Sequence, residues 1–440
     1  MDILSPTTNP KITHTSNIAC GFIVLLFFAV LHLGATENSF ERPDKNAATI
    51  EDRIGKVISS GNVNLDTRLR YEHVDSSKAS IRPGNAFTFR TQLGYKTDPW
   101  NGLQGMVEFE NTTALGGDDQ YRNVPGPAAN LFDRDIVADP EGTEINQVWI
   151  GYEKWNTHVK LGRQTFTLDN HRFVGNVIWR QNEQTYDALT VSNDSIHDMT
   201  ASYAYLSGVN RIFGDKFGNI AGPADGNWES KSHIFHLSYD HVPFGNLTGY
   251  AYLLDLVEVT TLSSSTFGLY HKNKIPLTDE FNLTYRAEFA HQTDYADNAG
   301  DYAAEYLNLQ LGGEYREISS GIGYELLGSD KGVTAFTTPL STLHAFQGWA
   351  DLFLSTPRGG IEDYQIWIGI EFPYEIPFRI IYHNYRPHEG GGGDYGHEID
   401  AIVSRKFGKY FSGILKYAYF DGDSMPVNIH KFWTQIEFSF

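Results

Sequence analysis

Cysteine is all but missing from this chain of 440 residues: the single one, Cys20, sits inside an apolar leader. Without that leader no thiol remains, which excludes disulfide-stapled secreted folds, thiolate metal sites and thiol nucleophiles. A lipoprotein cysteine would follow the apolar run rather than open it, so Cys20 reads as a core residue of the leader. Long hydrophobic runs are equally scarce. A helical membrane protein needs several apolar stretches of roughly 20 residues, and only Ile18 to Leu33 is comparable. Positive charge is in the minority: 34 Lys and Arg face 54 Asp and Glu, a net charge of −20. So acidic a chain does not seek nucleic acid or an anionic membrane surface through its overall field.

What is present begins with the leader. A polar stretch carrying Lys11 precedes the apolar run, and Gly34-Ala35 follows it before polar Thr36-Glu37-Asn38. That pattern is a secretory signal with cleavage near Ala35, giving a signal peptide over 1–35. An uncleaved N-terminal anchor is the alternative, because the polar stretch is long and contains Asp2. Residues 36–57 form a short N-terminal periplasmic segment. Ile50, Ile54, Val57 and Ile58 are spaced for an amphipathic helix there, and a disordered leader is the other reading.

From 58 to 440 the chain is a succession of alternating segments, about 18 of them, each long enough to cross a bilayer as a tilted strand. Short connections such as Trp155-Asn156-Thr157 and Arg316-Glu317 alternate with long ones over 115–142, 168–182, 208–229, 328–360 and 387–394. Short periplasmic turns and long outer loops are the habit of an outer-membrane barrel. Individual strands show two faces: Val63, Leu65, Leu69 and Tyr71 oppose Asn64, Asp66, Arg68 and Arg70. Beyond the hairpin spacing no internal repeat stands out.

The final strand alternates as well, with Phe432, Ile436, Phe438 and Phe440 on one side and Trp433, Gln435 and Glu437 on the other. A soluble sandwich alternates in the same way. The leader, the even strand count and the terminal aromatic favour an all-β, transmembrane, antiparallel, porin-like barrel in a Gram-negative-type outer membrane. In such a barrel the apolar side of the last strand faces lipid, and the strand is the signal to the outer-membrane assembly machinery.

No enzyme is expected. Asp169 with His171, and Ser341 with His344, are accidental neighbours outside any nucleophile or metal motif. The acidic turns Asp294 to Asp301 and Asp421 to Asp423 lack the spacing of a calcium cage. No catalytic, cofactor-binding or metal residue is assigned.

One segment carries a recognisable signature: Leu161 to Leu189, LGRQTFTLDNHRFVGNVIWRQNEQTYDAL. It resembles the alginate export family of outer-membrane proteins, and Gly61 to Val74, Thr338 to Asp351 and Asp394 to Asp400 agree with that likeness. The resemblance implies an 18-stranded barrel related to a polysaccharide exporter. The expected function is passive diffusion of a saccharide, anionic or neutral, through the lumen. A loop-plugged barrel with a binding or structural role, and a general small-solute porin, are the alternatives.

A polyanion path needs cations. Alternation turns Arg68, Arg70, Arg90, Arg286, Arg379 and Lys416 toward the lumen, among carboxylates that include Asp66, Glu72, Glu108, Glu110, Glu288, Asp400 and Glu437. The motif adds Arg163, Arg172 and Arg180, in or beside a loop able to fold inward. Alternation puts Arg163 toward lipid unless Gly162 hosts a bulge. The plainer reading is that these charges pair, with Asp169 or Asp187 fixing an arginine of the loop.

Overall fold

The structure, a computed structural model, describes residues 50–126, 129–214, 225–242 and 245–440. The signal over 1–35, most of the segment 36–57, part of the loop 208–229 and the turn at 243–244 lie outside the described residues. Ile50–Ser59 is helical, as the spacing of its apolar residues predicts.

The strands run in chain order as β1 Asn62–Ser76, β2 Gly84–Lys96, β3 Leu103–Ala114, β4 Gly142–Lys154, β5 Thr157–Gln164, β6 Thr185–Asn193, β7 Met199–Asn210, β8 Asn227–Val242 and β9 Gly245–Leu254. They continue as β10 Ser264–Pro276, β11 Phe281–Asp294, β12 Ala303–Tyr315 and β13 Ile318–Leu327. A two-stranded ribbon follows, β14 Ser329–Asp330 with β15 Thr334–Ala335. The last five are β16 Ile361–Phe372, β17 Ile376–Arg386, β18 Gly396–Phe407, β19 Phe411–Gly422 and β20 Ile429–Ser439. All but the ribbon form one 18-stranded antiparallel sheet. Neighbours in sequence are neighbours in space, and β1 pairs with β20 to close the ring.

Closure is the solution that lipid imposes, because a backbone group facing hydrocarbon has no water to bond. The seam runs from Asp66 opposite Ser439 to Ser76 opposite Ile429. Phe440 completes it: its N–H donates to the Leu65 carbonyl at 2.9 Å, and the Leu65 N–H returns a bond at 3.0 Å. The faces fall where alternation puts them. Ile436 and Phe440 are 54% and 66% exposed to the lipid side, whereas Trp433 is wholly buried on the lumen side. Among the described residues no helix is long and apolar enough to cross a bilayer; the strands cross instead.

The connections at one end are tight. Trp155 and Asn156 both take positive φ, 55° and 52°, a two-residue turn whose twist matches its flanking strands. One insertion changes a face. Glu108 lies opposite Gln147 and Phe109 opposite Ile145, so Asn146 is an extra, bulged residue in β4. A one-residue insertion reverses parity beyond it. Even-numbered residues face inward before Asn146 and odd-numbered ones after, which brings Trp149 into the lumen. Asn146 and Gln147 then both donate to Glu108, at 2.9 and 2.8 Å.

Deleting Phe440 removes two seam hydrogen bonds, together worth about 1–3 kcal/mol. The folded barrel of that variant should lose its heat-modifiable gel migration at a lower temperature than wild type. Equal temperatures would show that the seam does not depend on this residue.

Candidate functional site

The signature segment Leu161 to Leu189 consists of the end of β5, the loop 165–184 and the start of β6. That loop folds inside the barrel. Tyr186, fully buried on the lumen side, donates from its hydroxyl to the Gly175 carbonyl at 2.7 Å. A second outer loop, 328–360, meets the first there: Gly175 N–H donates to Leu340 at 2.9 Å, and Thr342 N–H to His171 at 3.0 Å. A third, 115–141, contributes Asp139, whose carboxylate accepts from the Gln181 N–H at 2.9 Å.

The wall holds this assembly through its arginines. Arg68 donates to the carbonyls of Ile178 at 2.8 Å and Arg180 at 3.0 Å, and pairs with Glu437 at 2.5 Å. Arg70 donates to Gln435 at 2.9 Å and to the Trp179 carbonyl at 2.5 Å, and its guanidinium lies 4.3 Å from the Trp179 ring. Gly348, at φ 77°, lets the second loop press on the wall: a Cβ there would stand 2.3 Å from the Tyr385 hydroxyl. Nearby, Trp349 N–H donates to Asp400 at 3.1 Å and Ala350 N–H to Glu398 at 2.6 Å.

At the centre, Arg180 reaches Asp351 at 2.9 Å, Glu72 at 3.1 Å and Asp139 at 3.8 Å, so one guanidinium joins all three loops to β1. Burial works against its charge, yet the three carboxylates prevail and raise its pKa above the ordinary value. Asp351 also takes Lys431 at 2.6 Å and His344 at 2.7 Å. Burial alone would push that carboxyl up; the His344 hydrogen bond with the charges of Lys431 and Arg180 holds it well below the usual carboxylate range. Burial drives His344 well below its ordinary value, leaving the imidazole neutral. The ionised Asp351 carboxylate can only accept, so Nδ1–H donates to it at 2.7 Å and the bare Nε2 accepts from Lys416, also at 2.7 Å. The ring stacks on Trp179, centroids 4.7 Å apart.

The nine basic residues singled out from sequence therefore have different fates. Arg90 pairs with Asp66, Arg172 with Glu325 at 2.8 Å, and Arg286 with Glu288 at 2.7 Å. With Arg68, Arg70, Arg180 and Lys416 they lie inside the barrel but are buried; the arginines pair with carboxylates, and Lys416 meets His344 and the rings of Trp179 and Trp349. Arg163 is not in the lumen. It pairs with Asp187 at 2.9 Å at the loop end of the β5–β6 hairpin, and the ladder keeps its register across Gly162 with no bulge there. Arg163 shares its strand face with exposed Leu161. Arg379 alone of the nine is exposed with no carboxylate within 4.0 Å among the described residues. Sequence reading missed Asp139, Glu325, His344 and Lys431 as partners. Asp351 and His344 had a signal, since both lie in the run Thr338 to Asp351.

Two comparisons bear on this arrangement. Residues 61–204 match the alginate export family. The matched stretch includes β1, which holds the inner loops, and the whole of the signature loop. No curated protein matches the chain. Solved structures share the fold. OccAB2 of Acinetobacter baumannii is 18% identical, with a TM-score of 0.67, covering 88% of this chain and 100% of its own. OpdL of Pseudomonas aeruginosa is 14% identical with a TM-score of 0.64, over 87% of this chain and 99% of its own. OccK9 of the same species, at 14% and 0.66, covers 87% and 100%. The chain is an outer-membrane β-barrel of porin type, and the stretch that matches the alginate export family includes one of the loops folded inside it.

Arg180→Met leaves buried Glu72 without its cation and takes one from Asp139 and Asp351, and should cost about 3–5 kcal/mol. The expected readout is a lower unfolding temperature and a noisier single-channel current as the loops loosen; a quiet, equally stable channel would refute the role of Arg180. The Asp351 carboxyl, depressed in the folded state, contributes stability that is complete above its unfolded pKa of about 3.9. That contribution disappears only as pH falls through its much lower folded value. Thermal stability measured against pH should thus show no loss attributable to Asp351 between pH 7 and 5, while Asp351→Asn should be less stable throughout.

Proposed function

We propose that this barrel is a passive channel for an anionic saccharide, an alginate-like polysaccharide or oligosaccharide. The observation that carries the reading is the position of the alginate export signature: its loop is one of those drawn into the lumen, where it would meet a solute passing through. Sugar carboxylates would meet basic groups of the wall, and Trp and Tyr rings would offer stacking surfaces for sugar faces. The C-terminal strand, with its outward aromatics, would be read by the outer-membrane assembly machinery.

A loop-plugged barrel with a binding role has one observation in its favour, the complete burial of Arg70 and Arg172 beneath the loops. Conductance separates the two. Reconstituted into planar bilayers, the protein should conduct, prefer anions, and be blocked by uronate oligomers. A silent bilayer would favour the plug, and cation preference would count against polyanion passage.

A further inference from the structure

A seven-residue pattern does recur in this chain, contrary to the reading of the sequence above: Gln147-Val-Trp-Ile-Gly-Tyr-Glu153 and Gln365-Ile-Trp-Ile-Gly-Ile-Glu371. The ladder gives both copies the same setting. Each lies in a strand descending to a tight turn, with its Trp five residues above the strand end, Lys154 in β4 and Phe372 in β16. In each, the Gly after the Trp faces a cation on the next strand: Gly151 opposite Lys160, and Gly369 opposite Arg379. That diagonal brings the Lys160 ammonium to 4.8 Å from the Trp149 ring and the Arg379 guanidinium to 5.6 Å from the Trp367 ring. Lys96 adds a second ammonium 5.8 Å from Trp149.

The two hairpins oppose each other. β4 is the fourth and β16 the fourteenth strand of the 18-membered ring, ten steps apart one way and eight the other. Both Trp residues are on the lumen face, on the turn side of the constriction. Trp367 lies flat on the wall, so that a Cβ on Gly321 would stand 2.2 Å from its ring and one on Gly312 3.3 Å. Trp367 stays partly exposed on the lumen side, with the Arg379 guanidinium over its ring. Trp149 is covered by its two lysines, and there the ammonium groups form the surface. Among the described residues neither Lys96, Lys160 nor Arg379 has a carboxylate within 4.0 Å, unlike the arginines of the constriction. A ring that served only to cap glycines would not require a cation on the same diagonal in both hairpins.

We propose that these hairpins form a two-sided clamp for a carboxylated sugar chain, below the loop constriction. Trp367 stacks on a sugar face while Arg379 takes its carboxylate, and Lys96 with Lys160 take a carboxylate on the opposite wall. The proposal rests on the anionic-saccharide reading given above. It locates charge selection in the cations of the lower lumen that lack a carboxylate partner rather than in the buried arginines of the signature loop.

The test is oligouronate block of single channels in planar bilayers, for wild type, Lys160→Gln, Arg379→Gln and Trp367→Leu, with heat-modifiable migration confirming each fold. Loss of a charge-assisted contact in Lys160→Gln or Arg379→Gln, or of the stacking ring in Trp367→Leu, should weaken block roughly tenfold. Block by a neutral oligosaccharide of equal length should not change in Lys160→Gln or Arg379→Gln. The two charge substitutions leave the rings in place, so the test stands even if Trp367→Leu fails to fold. Undiminished uronate block in Lys160→Gln and Arg379→Gln would overturn the clamp and leave the channel reading intact. Weakening at one hairpin alone would overturn the two-sided arrangement. A wild-type channel that uronates do not block would overturn the anionic-saccharide reading and the clamp with it.

Discussion

A polypeptide in hydrocarbon must bond its own backbone, and the ring closed by β1 and β20 is how this chain meets that demand. Everything inside depends on it. Closure makes one face of every strand a lipid face, so alternate residues turn to an enclosed space where charges are tolerated. It also gives that space a rigid wall, against which loops can be held in fixed positions. The bond pair between Leu65 and Phe440 secures the seam from the strand that enters the ring last in sequence.

Within the wall the governing term is the cost of an unpaired buried charge. Arg70, Arg172 and Arg180 are withdrawn from water, and each is compensated by carboxylates or carbonyls brought in by another part of the chain. Removing one member leaves its partners stranded, so the network fixes the inner loops in one arrangement. Neutral His344 belongs to the same logic: it links the Lys416 ammonium to the Asp351 carboxylate without adding a third charge.

The lumen thus divides into two zones of different chemistry. At the loops, cations are balanced within the protein. Nearer the tight turns, Lys96, Lys160 and Arg379 remain beside tryptophan rings, with no carboxylate within 4.0 Å among the described residues. The barrels of similar fold share less than a fifth of their residues with this chain, and one architecture carries many cargoes. Cargo is decided by such side chains, not by strand number.

Period-two alternation and the contrast of short and long connections were legible in the sequence, because a side chain's face depends only on its neighbours one and two residues away. Strand number, the lipid face of Ile436 and Phe440, and the lumen face of Arg68 and Arg286 followed from that local rule. The bulge at Asn146 marks its limit, since one inserted residue reverses the faces of all that follow until the strand ends. Alternation set Arg163 on the lipid-facing side of its strand, and the tertiary structure placed it against Asp187. Which charges are sealed and which stay free was decided by tertiary structure alone. Asp139, Asp351 and Glu72 are far apart in the chain, and only loops folded back into a closed ring bring them to one guanidinium. The same holds for the two tryptophan hairpins: their likeness is written in the sequence, but their opposition exists only once the ring has closed.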